Sequence, residues 1–365
     1  MAHQLNAGSK LVISLMGTGN GAHVIAGLAG ANPAYEVRLL TRRPEIFSLK
    51  KITVQRPGKM GGDDIVGTVD VKFTHLLAKS VLGEDTPYFA LQNIPWLCAT
   101  IEPGKTAQIV GNKHHIRVAT GPNTSFTWTK QFLEPCINAT TGFKGAELMN
   151  IPDFASIVLN PANQIIHPAR MWGRFSDWDL KTPFEQGSLG SLYGDFDAKS
   201  SEALVGLDAE LQSIKTELLQ AAPELDLTSV IPLADRIIQQ YGDQVEDKSN
   251  MQSIMSANQA YSMAQFPVVE VEGGVIPNKN HRVVQDDIPH GLIPLIDIAQ
   301  RLNLRTPWME EMVEWHQLFM RKEYLVGGEL KGKDMGECTS PTVLGGEGLR
   351  CVGFMENVNT PTSRS

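Results

Sequence analysis

Long hydrophobic runs and blocks of basic residues are both scarce in this sequence. The first apolar stretch, Leu11 to Met16, has six residues, which is too short for a signal-peptide core or a membrane span. The 365 residues include 32 Lys and Arg against 40 Asp and Glu, a formal net charge of −8, and no basic block exceeds a pair. The composition argues against a nucleic-acid-binding stripe and a membrane anchor, and it predicts a cytoplasmic protein.

Cysteine is also scarce. The four cysteines show no CxxC spacing, so they are interpreted as reduced thiols rather than as a disulfide framework or zinc ligands. No metal is expected. At 42% hydrophobic and 20% charged, a chain of this length can bury two cores of ordinary size. We therefore expect a two-domain globular protein.

A nucleotide-binding pattern opens the chain. The apolar run from Leu11 is typical of a buried parallel strand, and Gly17-Thr18-Gly19-Asn20-Gly21-Ala22 follows it and leads into a helix rich in small residues. In the dinucleotide fingerprint, Gly17 makes the turn, Gly19 lets the backbone approach a pyrophosphate, and Ala22 lets helix and strand pack closely. A glycine turn without a ligand is the alternative. The strand and helix context favours nucleotide binding.

The residues after the second predicted strand bear on the choice of cofactor. A carboxylate there accepts the ribose hydroxyls of NAD, whereas an arginine favours the 2′-phosphate of NADP. The chain has Thr41, Arg42 and Arg43 at this point. These residues slightly favour NADP over NAD as the cofactor. The alternative is a solvated turn with no role in cofactor binding.

The two halves of the chain differ in their periodicity. Short strand candidates occupy 52–55, 65–71, 106–111 and 115–120, whereas helical spacing dominates 201–219, 292–302 and 308–319. We predict an α/β Rossmann domain with a doubly wound parallel sheet over residues 1–160. A mainly α-helical domain is predicted over 161–365.

Two segments beyond the glycine loop carry candidate chemistry. His167 is a candidate for proton transfer, because a histidine with its unperturbed pKa can give or take a proton near neutrality, and a partly buried structural histidine is the alternative. Arg282 could bind a carboxylate, and Asp287, five residues later, could orient a histidine. A surface turn of mixed charge is the alternative for that second segment.

These segments together resemble the opine dehydrogenases of the invertebrate octopine and tauropine dehydrogenase group. The similarity runs from about residue 11 to about 350, and the His-Pro and Asp-Ile-Pro segments are more diagnostic than the glycine loop. The stretches that carry it are Gly17 to His23, Ile166 to Asp179, Val271 to Pro277, Asp286 to Gly291 and Lys322 to Val326.

The resemblance implies reductive condensation of pyruvate with an amino acid or amino sulfonate at the expense of NADH. By position, it implies that His167 is the general acid/base, that Asp287 holds its imidazole, and that Arg282 binds the keto-acid carboxylate. It implies small-molecule partners. From the fingerprint and the end of the second strand, we expect the cofactor to be bound by Gly17, Gly19, Asn20, Gly21, Ala22, Thr41 and Arg42. We expect no nucleic acid, membrane or metal, and a monomer or small homo-oligomer.

The sequence departs from the family pattern in two places. The family has an aromatic residue that stacks on an arginine substrate, whereas Arg236 lies near that position here, which favours taurine, alanine or glycine over arginine. Around residues 73–88, the sequence also lacks at least one strand unit that the family's doubly wound sheet contains. The alternative to an active enzyme is therefore a catalytically silent nucleotide-binding homologue or shortened isoform. Another dehydrogenase on the same fold, acting on glycerol 3-phosphate or a 2-hydroxy acid, is a third hypothesis.

Overall fold

A computed structural model describes residues 11–16, 20–41, 51–57, 63–70, 72–75, 89–102, 106–120, 124–138, 145–151, 155–262 and 264–338. The chain divides into two compact units, Met1–Asn150 and Ile151–Ser365, so the division precedes the boundary predicted at residue 160. The segment between these positions joins the second unit through hydrogen bonds: Ser156 Oγ donates to the carbonyl of Asp226 at 3.0 Å, and Asn160 Nδ2 donates to that of Ser229.

The first unit contains the predicted βαβ start and the four strands predicted after it. Its elements are β1 (Leu11–Met16), α1 (Asn20–Gly30), β2 (Tyr35–Thr41), β3 (Lys51–Pro57), β4 (Asp63–Asp70), β5 (Lys72–His75), β6 (Phe89–Leu91), β7 (Trp96–Glu102), β8 (Thr106–Asn112), β9 (His115–Thr120), α2 (Phe126–Asn138) and β10 (Glu147–Ile151).

The parallel sheet of the described residues has three strands in the order β1-β2-β5. Leu11 pairs with Tyr35 at the start of the β1-β2 ladder, and Arg38 pairs with Lys72 between β2 and β5. The other strands form sheets in the orders β4-β3-β8-β7 and β10-β9-β6, in which β3 and β8 are parallel and the β3-β4, β7-β8 and β6-β9 pairs are antiparallel. Within the described residues, β1 is therefore an edge strand.

The core of the first unit surrounds α1. Val24 and Ala26 have no solvent exposure and Ala29 has 1%, and they join an apolar cluster that includes Trp96 and Leu133. Small side chains on a helix let it approach a sheet closely. The close packing expected from Ala22 onward is thus present.

The second unit is mainly helical, as predicted, and includes the three helices expected from the periodicity. Its elements are α3 (Ala155–Val158), α4 (Asn163–Phe175), α5 (Ala198–Ala221), α6 (Leu233–Tyr241), α7 (Met251–Ser256), β11 (Val268–Val271), β12 (Gly274–Pro277), α8 (Arg282–Gln285), a π-helical turn (Ile288–Leu292), α9 (Ile293–Arg301), α10 (Pro307–Met320), β13 (Leu325–Val326) and β14 (Glu329–Leu330). No helix in the described part of the chain has the length and apolar content needed to cross a membrane.

Helix α5 organises the second unit through two acidic side chains. Asp208 accepts a hydrogen bond from the backbone N–H of Leu233, the first residue of α6, at 2.9 Å. Glu210 accepts from the N–H groups of Trp308 and Met309 in the first turn of α10, at 2.6 and 2.9 Å. Helix N-termini leave such donors unpaired, so α5 caps two neighbouring helices. Burial raises the pKa of Glu210 to about 7.

Candidate functional site

His167 lies on the buried face of α4. The helix begins at Asn163 and places His167 in its second turn. The side chain is 4% exposed and sits among buried neighbours that include Ile166 and Ala169. A buried imidazole needs polar partners, because an unpaired polar group loses its hydration on burial.

The first partner of His167 is Asp287, which is 120 residues away in the sequence. Asp287 lies at the start of the π-helical turn, and its Oδ2 is 2.7 Å from Nδ1 of His167. A carboxylate only accepts hydrogen bonds, so Nδ1 carries the proton and the lone pair of the neutral ring is on Nε2. The structure therefore brings together the two residues that the resemblance assigns to catalysis.

Gly291 lets α4 and the π-helical turn approach each other. A Cβ atom at Gly291 would lie 2.6 Å from Cβ of Gln164, one turn before His167 on α4. Such a distance is too short for a methyl group without a backbone shift. The absent side chain thus sets the spacing that allows His167 and Asp287 to meet.

The second partner of His167 is Tyr193, a residue that the sequence did not indicate. Its hydroxyl lies 2.5 Å from Nε2, and the planes of the two rings are within 20° of each other with centroids 5.9 Å apart. Burial, followed by the effects of Tyr261 and Asp287, raises the pKa of Tyr193 well above its usual value of 10.0. Tyr193 lies in a glycine- and serine-rich loop, 26 residues after His167, and that composition carries no signal for a catalytic role.

Arg170 fixes the loop that carries Tyr193. Its guanidinium is 1% exposed and donates to the carbonyls of Leu192 and Ser191 at 2.7 and 3.2 Å. It also pairs with Asp197 at 2.6 Å and lies over the ring of Phe266, 4.9 Å from the centroid. Because Arg170 follows His167 by one turn of α4, the same helix positions the imidazole and its hydroxyl partner.

Arg282 is exposed at the start of α8, five residues before Asp287. Its charge reaches the site, since it opposes the rise in the pKa of Tyr193. The neighbouring His281 is half-buried, and its pKa is lowered by burial first and then by the charges of Arg282 and His167. An accessible cation thus lies in the electrostatic surroundings of the His167–Asp287 pair.

Arg236 occupies a different environment from the one its charge suggested. It is 1% exposed on α6, and Nη2 donates a hydrogen bond to the carbonyl of Pro161. Its charge acts on Tyr261, whose pKa burial nevertheless raises to about 12. Tyr261 packs against Tyr193 with centroids 4.7 Å apart. Arg236 is therefore linked to the His167 site through the rings of Tyr261 and Tyr193.

The predicted cofactor residues are only partly covered by the structure. Gly17, Gly19, Arg42 and Arg43 lie outside the described residues. Asn20 and Gly21 are the first residues of α1, Ala22 is half-buried against the core, and Thr41 is the last residue of β2.

This arrangement fits a dinucleotide. α1 begins just after β1, at the carboxyl end of two paired parallel strands. The free N–H groups of a helix N-terminus in that position suit a pyrophosphate.

Comparison with known proteins gives a consistent result. The family described as NAD/NADP octopine/nopaline dehydrogenase, alpha-helical domain, matches residues 150–320. An opine dehydrogenase of Haliotis discus hannai is 27% identical over 400 residues, which covers 92% of this chain and 96% of the relative. A tauropine dehydrogenase of Arabella iricolor is 25% identical over 398 residues, with 92% and 98% coverage.

The fold has a solved counterpart. An octopine dehydrogenase structure with NADH and L-arginine superposes with a TM-score of 0.75 at 20% identity, covering 92% of this chain and 96% of the other. The alignment with the Haliotis protein is 400 positions long, whereas this chain has 365 residues. At least 35 residues of the relative therefore have no counterpart in this chain. Residues 150–320 therefore match the helical domain of the NAD/NADP octopine/nopaline dehydrogenases, and nearly the whole chain is similar to opine and tauropine dehydrogenases.

Proposed function

We propose that this protein condenses pyruvate reductively with a small amino acid or amino sulfonate, using NADH or NADPH. The observation that carries the proposal is the buried His167–Asp287 pair at 2.7 Å, within the part of the chain that matches the family's helical domain. Such a pair holds one imidazole tautomer in place and leaves the other nitrogen for proton exchange. The family relationship supports the choice of reaction.

In this proposal, His167 moves the protons of the condensation. The amine adds to the keto carbon, and the resulting carbinolamine must lose its oxygen as water before reduction. The imidazolium donates a proton to that oxygen as the C–O bond breaks and the imine forms. Asp287 stays ionised, keeps the ring oriented and stabilises its positive charge. The hydride that completes the reaction comes from the nicotinamide of the bound cofactor.

Two cations of the second unit have proposed binding roles. Arg282 is exposed and can bind the pyruvate carboxylate, since a guanidinium matches a carboxylate with two parallel hydrogen bonds. Arg236 is proposed to favour an anionic or neutral amine substrate, because a buried positive charge repels a guanidinium. Taurine, alanine and glycine are therefore proposed as substrates in preference to arginine. The presence of a tauropine dehydrogenase among the relatives is compatible with this order.

The first unit is proposed to bind the cofactor through Gly17, Gly19, Asn20, Gly21 and Ala22. The start of α1 after β1 supports this assignment. Thr41, at the end of β2, and the following Arg42 are proposed to face the adenosine ribose. No carboxylate stands at this strand end, so we propose that NADPH is accepted alongside NADH.

A catalytically silent nucleotide-binding protein is the second candidate, and one observation favours it. In a doubly wound sheet the first strand is central, and the dinucleotide lies beside it where the strand order reverses. Here β1 is the edge of the three-stranded sheet in the described residues, and the Haliotis relative has positions that this chain lacks. A loss at that point would weaken the nicotinamide end of the binding site.

One experiment separates the two candidates. Oxidation of NADH and NADPH is followed with pyruvate alone and with pyruvate plus taurine, alanine, glycine or arginine. The enzyme hypothesis predicts cofactor oxidation that requires both pyruvate and an amine, fastest with one of the three small amines. Quenching of tryptophan fluorescence by NADH without turnover of any pair would establish the silent alternative. Fastest turnover with arginine would refute the role of Arg236 in amine selection.

A further inference from the structure

The nitrogen of His167 that must exchange protons is already occupied. Asp287 holds Nδ1, so a ligand can receive a proton only from the Nε2 side of the ring. The hydroxyl of Tyr193 lies there, 2.5 Å from Nε2. A substrate oxygen must therefore displace this hydroxyl or receive its proton through it.

Displacement of Tyr193 would disturb a firmly anchored segment. The backbone N–H of Leu192 donates to Ala264, and the Leu192 carbonyl accepts from Arg170, at 2.9 and 2.7 Å. The Tyr193 side chain is 8% exposed, its hydroxyl contacts His167, and its ring packs against that of Tyr261. Side chains packed closely in a protein core rarely change rotamer without local opening of the structure.

We propose that Tyr193 is a catalytic residue that relays the proton between His167 and the substrate. This inference rests on the proposed opine dehydrogenase function. When the imidazole is neutral, the phenol donates its hydrogen to Nε2. When the imidazole is protonated, Nε2–H donates to the phenol oxygen, and the phenolic hydrogen is free to point at a ligand.

The proton count balances in a single concerted step. Nε2–H passes to the Tyr193 oxygen while the phenolic proton passes to the carbinolamine oxygen, whose bond to carbon breaks as water leaves. His167 ends neutral, Tyr193 ends as a phenol, and Asp287 remains a carboxylate throughout. The raised pKa of Tyr193 agrees with this order, because a free tyrosinate never has to form.

Replacement of Tyr193 by phenylalanine tests the relay. The Tyr193→Phe variant keeps the ring that packs on His167 and Tyr261 and removes only the hydroxyl. The matched control is Tyr241→Phe, which removes another buried hydroxyl of the same aromatic group, one that bonds to Tyr261 rather than to His167. The relay predicts a loss in kcat of about 10²-fold or more for Tyr193→Phe, with NADH affinity unchanged. For Tyr241→Phe it predicts a kcat within about threefold of the parent.

The opposite result has a clear meaning. If Tyr193 merely covers Nε2, its loss frees the imidazole, and Tyr193→Phe will match or exceed the parent in kcat, which would overturn the relay. Nitrogen NMR of ¹⁵N-histidine-labelled protein gives a readout that does not need turnover, with His167 assigned from a His167→Gln sample. The Nε2 resonance should shift in Tyr193→Phe and not in Tyr241→Phe.

This second readout separates the relay from the proposed function. If the parent protein shows no turnover, the proposed function is refuted. The NMR comparison would then decide whether Tyr193 is hydrogen-bonded to His167 as the relay requires. A shift confined to Tyr193→Phe supports the relay geometry. If the Nε2 resonance is unchanged in Tyr193→Phe, the phenol is not hydrogen-bonded to His167, and the relay is overturned.

Discussion

The two units of this chain bury very different side chains. Around α1 in the first unit, the described core consists mainly of aliphatic and aromatic residues such as Val24, Ala26 and Trp96, and its buried ionisable side chains are His23 and Lys113. The second unit buries several ionisable groups, namely His167, Arg170, Asp208, Glu210, Arg236, Asp297, Glu310 and His316. An apolar core tolerates changes in pH, whereas buried ionisable groups depend on their partners and on their protonation. Because the second unit buries more of these groups, chemistry and acid sensitivity should reside mainly there.

The largest expected effect comes from Asp287→Asn. The amide can donate to Nδ1 and so favours the wrong tautomer of His167, and it no longer stabilises the imidazolium. We expect kcat to fall by about 10²–10⁴-fold while the affinity for NADH, assigned to the first unit, is unchanged. Steady-state kinetics and a fluorescence titration with NADH measure the two quantities. A parallel loss of NADH affinity would break the proposed division of roles.

The stability of the second unit should depend on pH through His316. Its Nδ1 donates to the carbonyl of Met312 at 2.7 Å, no described residue bonds Nε2, and complete burial lowers its pKa from 6.5 to about 4. Between these two pKa values the unfolded chain binds more protons than the folded one, so the free energy of unfolding falls as the pH drops from 6.5 to 4. Below pH 4, His316 causes no further loss. At 1.36 kcal/mol per pKa unit, the loss is about 3 kcal/mol.

Urea unfolding across that pH range measures this dependence. A His316→Leu variant is the control, since it fills a similar volume without a titrating group. We expect the variant to lose less stability than the parent between pH 6.5 and 4. Equal slopes for both proteins would show that His316 is not the group responsible.

The spacing between α4 and the π-helical turn should respond to Gly291→Ala. The added methyl would lie 2.6 Å from Gln164, so the two elements must separate, at a cost of about 1–3 kcal/mol. The same separation should lengthen the His167–Asp287 hydrogen bond and lower kcat. Gly336→Ala is the control, because nothing lies within 4 Å of a Cβ atom there. A Gly291→Ala protein with normal kcat would show that the pair tolerates this movement.

A smaller effect, confined to the first unit, is expected from Ala26→Leu. Ala26 is fully buried on α1, and the larger side chain must push the helix from its neighbours, at a cost of about 1–2 kcal/mol. We expect weaker NADH binding, while the ¹⁵N resonances of His167 stay as in the parent. A change in those resonances would show that the two units do not respond separately.

Local sequence patterns predicted the elements well because helices and strands follow short-range periodicity. The βαβ start and the helices α5, α9 and α10 all lie where the spacing of apolar residues predicted them. The parallel pairing of β3 with β8 was beyond such patterns, since it joins residues about fifty positions apart. The presence of an α/β region followed by a helical one was confirmed, whereas the arrangement of the sheets needed the structure.

The site was predictable only where the resemblance reached. His167 and Asp287 are 120 residues apart, so no local sequence pattern could pair them. Their pairing was predicted from the similarity to the opine dehydrogenases. Tyr193 went unnoticed because its position depends on the contacts of Arg170 with a glycine- and serine-rich loop. The charge of Arg236 indicated a ligand-binding role, and its burial and its bond to Pro161 could not be inferred from sequence.

The central claim is that His167 supplies the proton for a reduction that needs both pyruvate and an amine. Its most direct test compares NADH oxidation by the parent and by His167→Ala, with NADH affinity measured in parallel. The proposed mechanism predicts that His167→Ala binds NADH as the parent does and loses about 10²–10⁴-fold in kcat. A variant that binds NADH normally and keeps kcat within about threefold of the parent would contradict it.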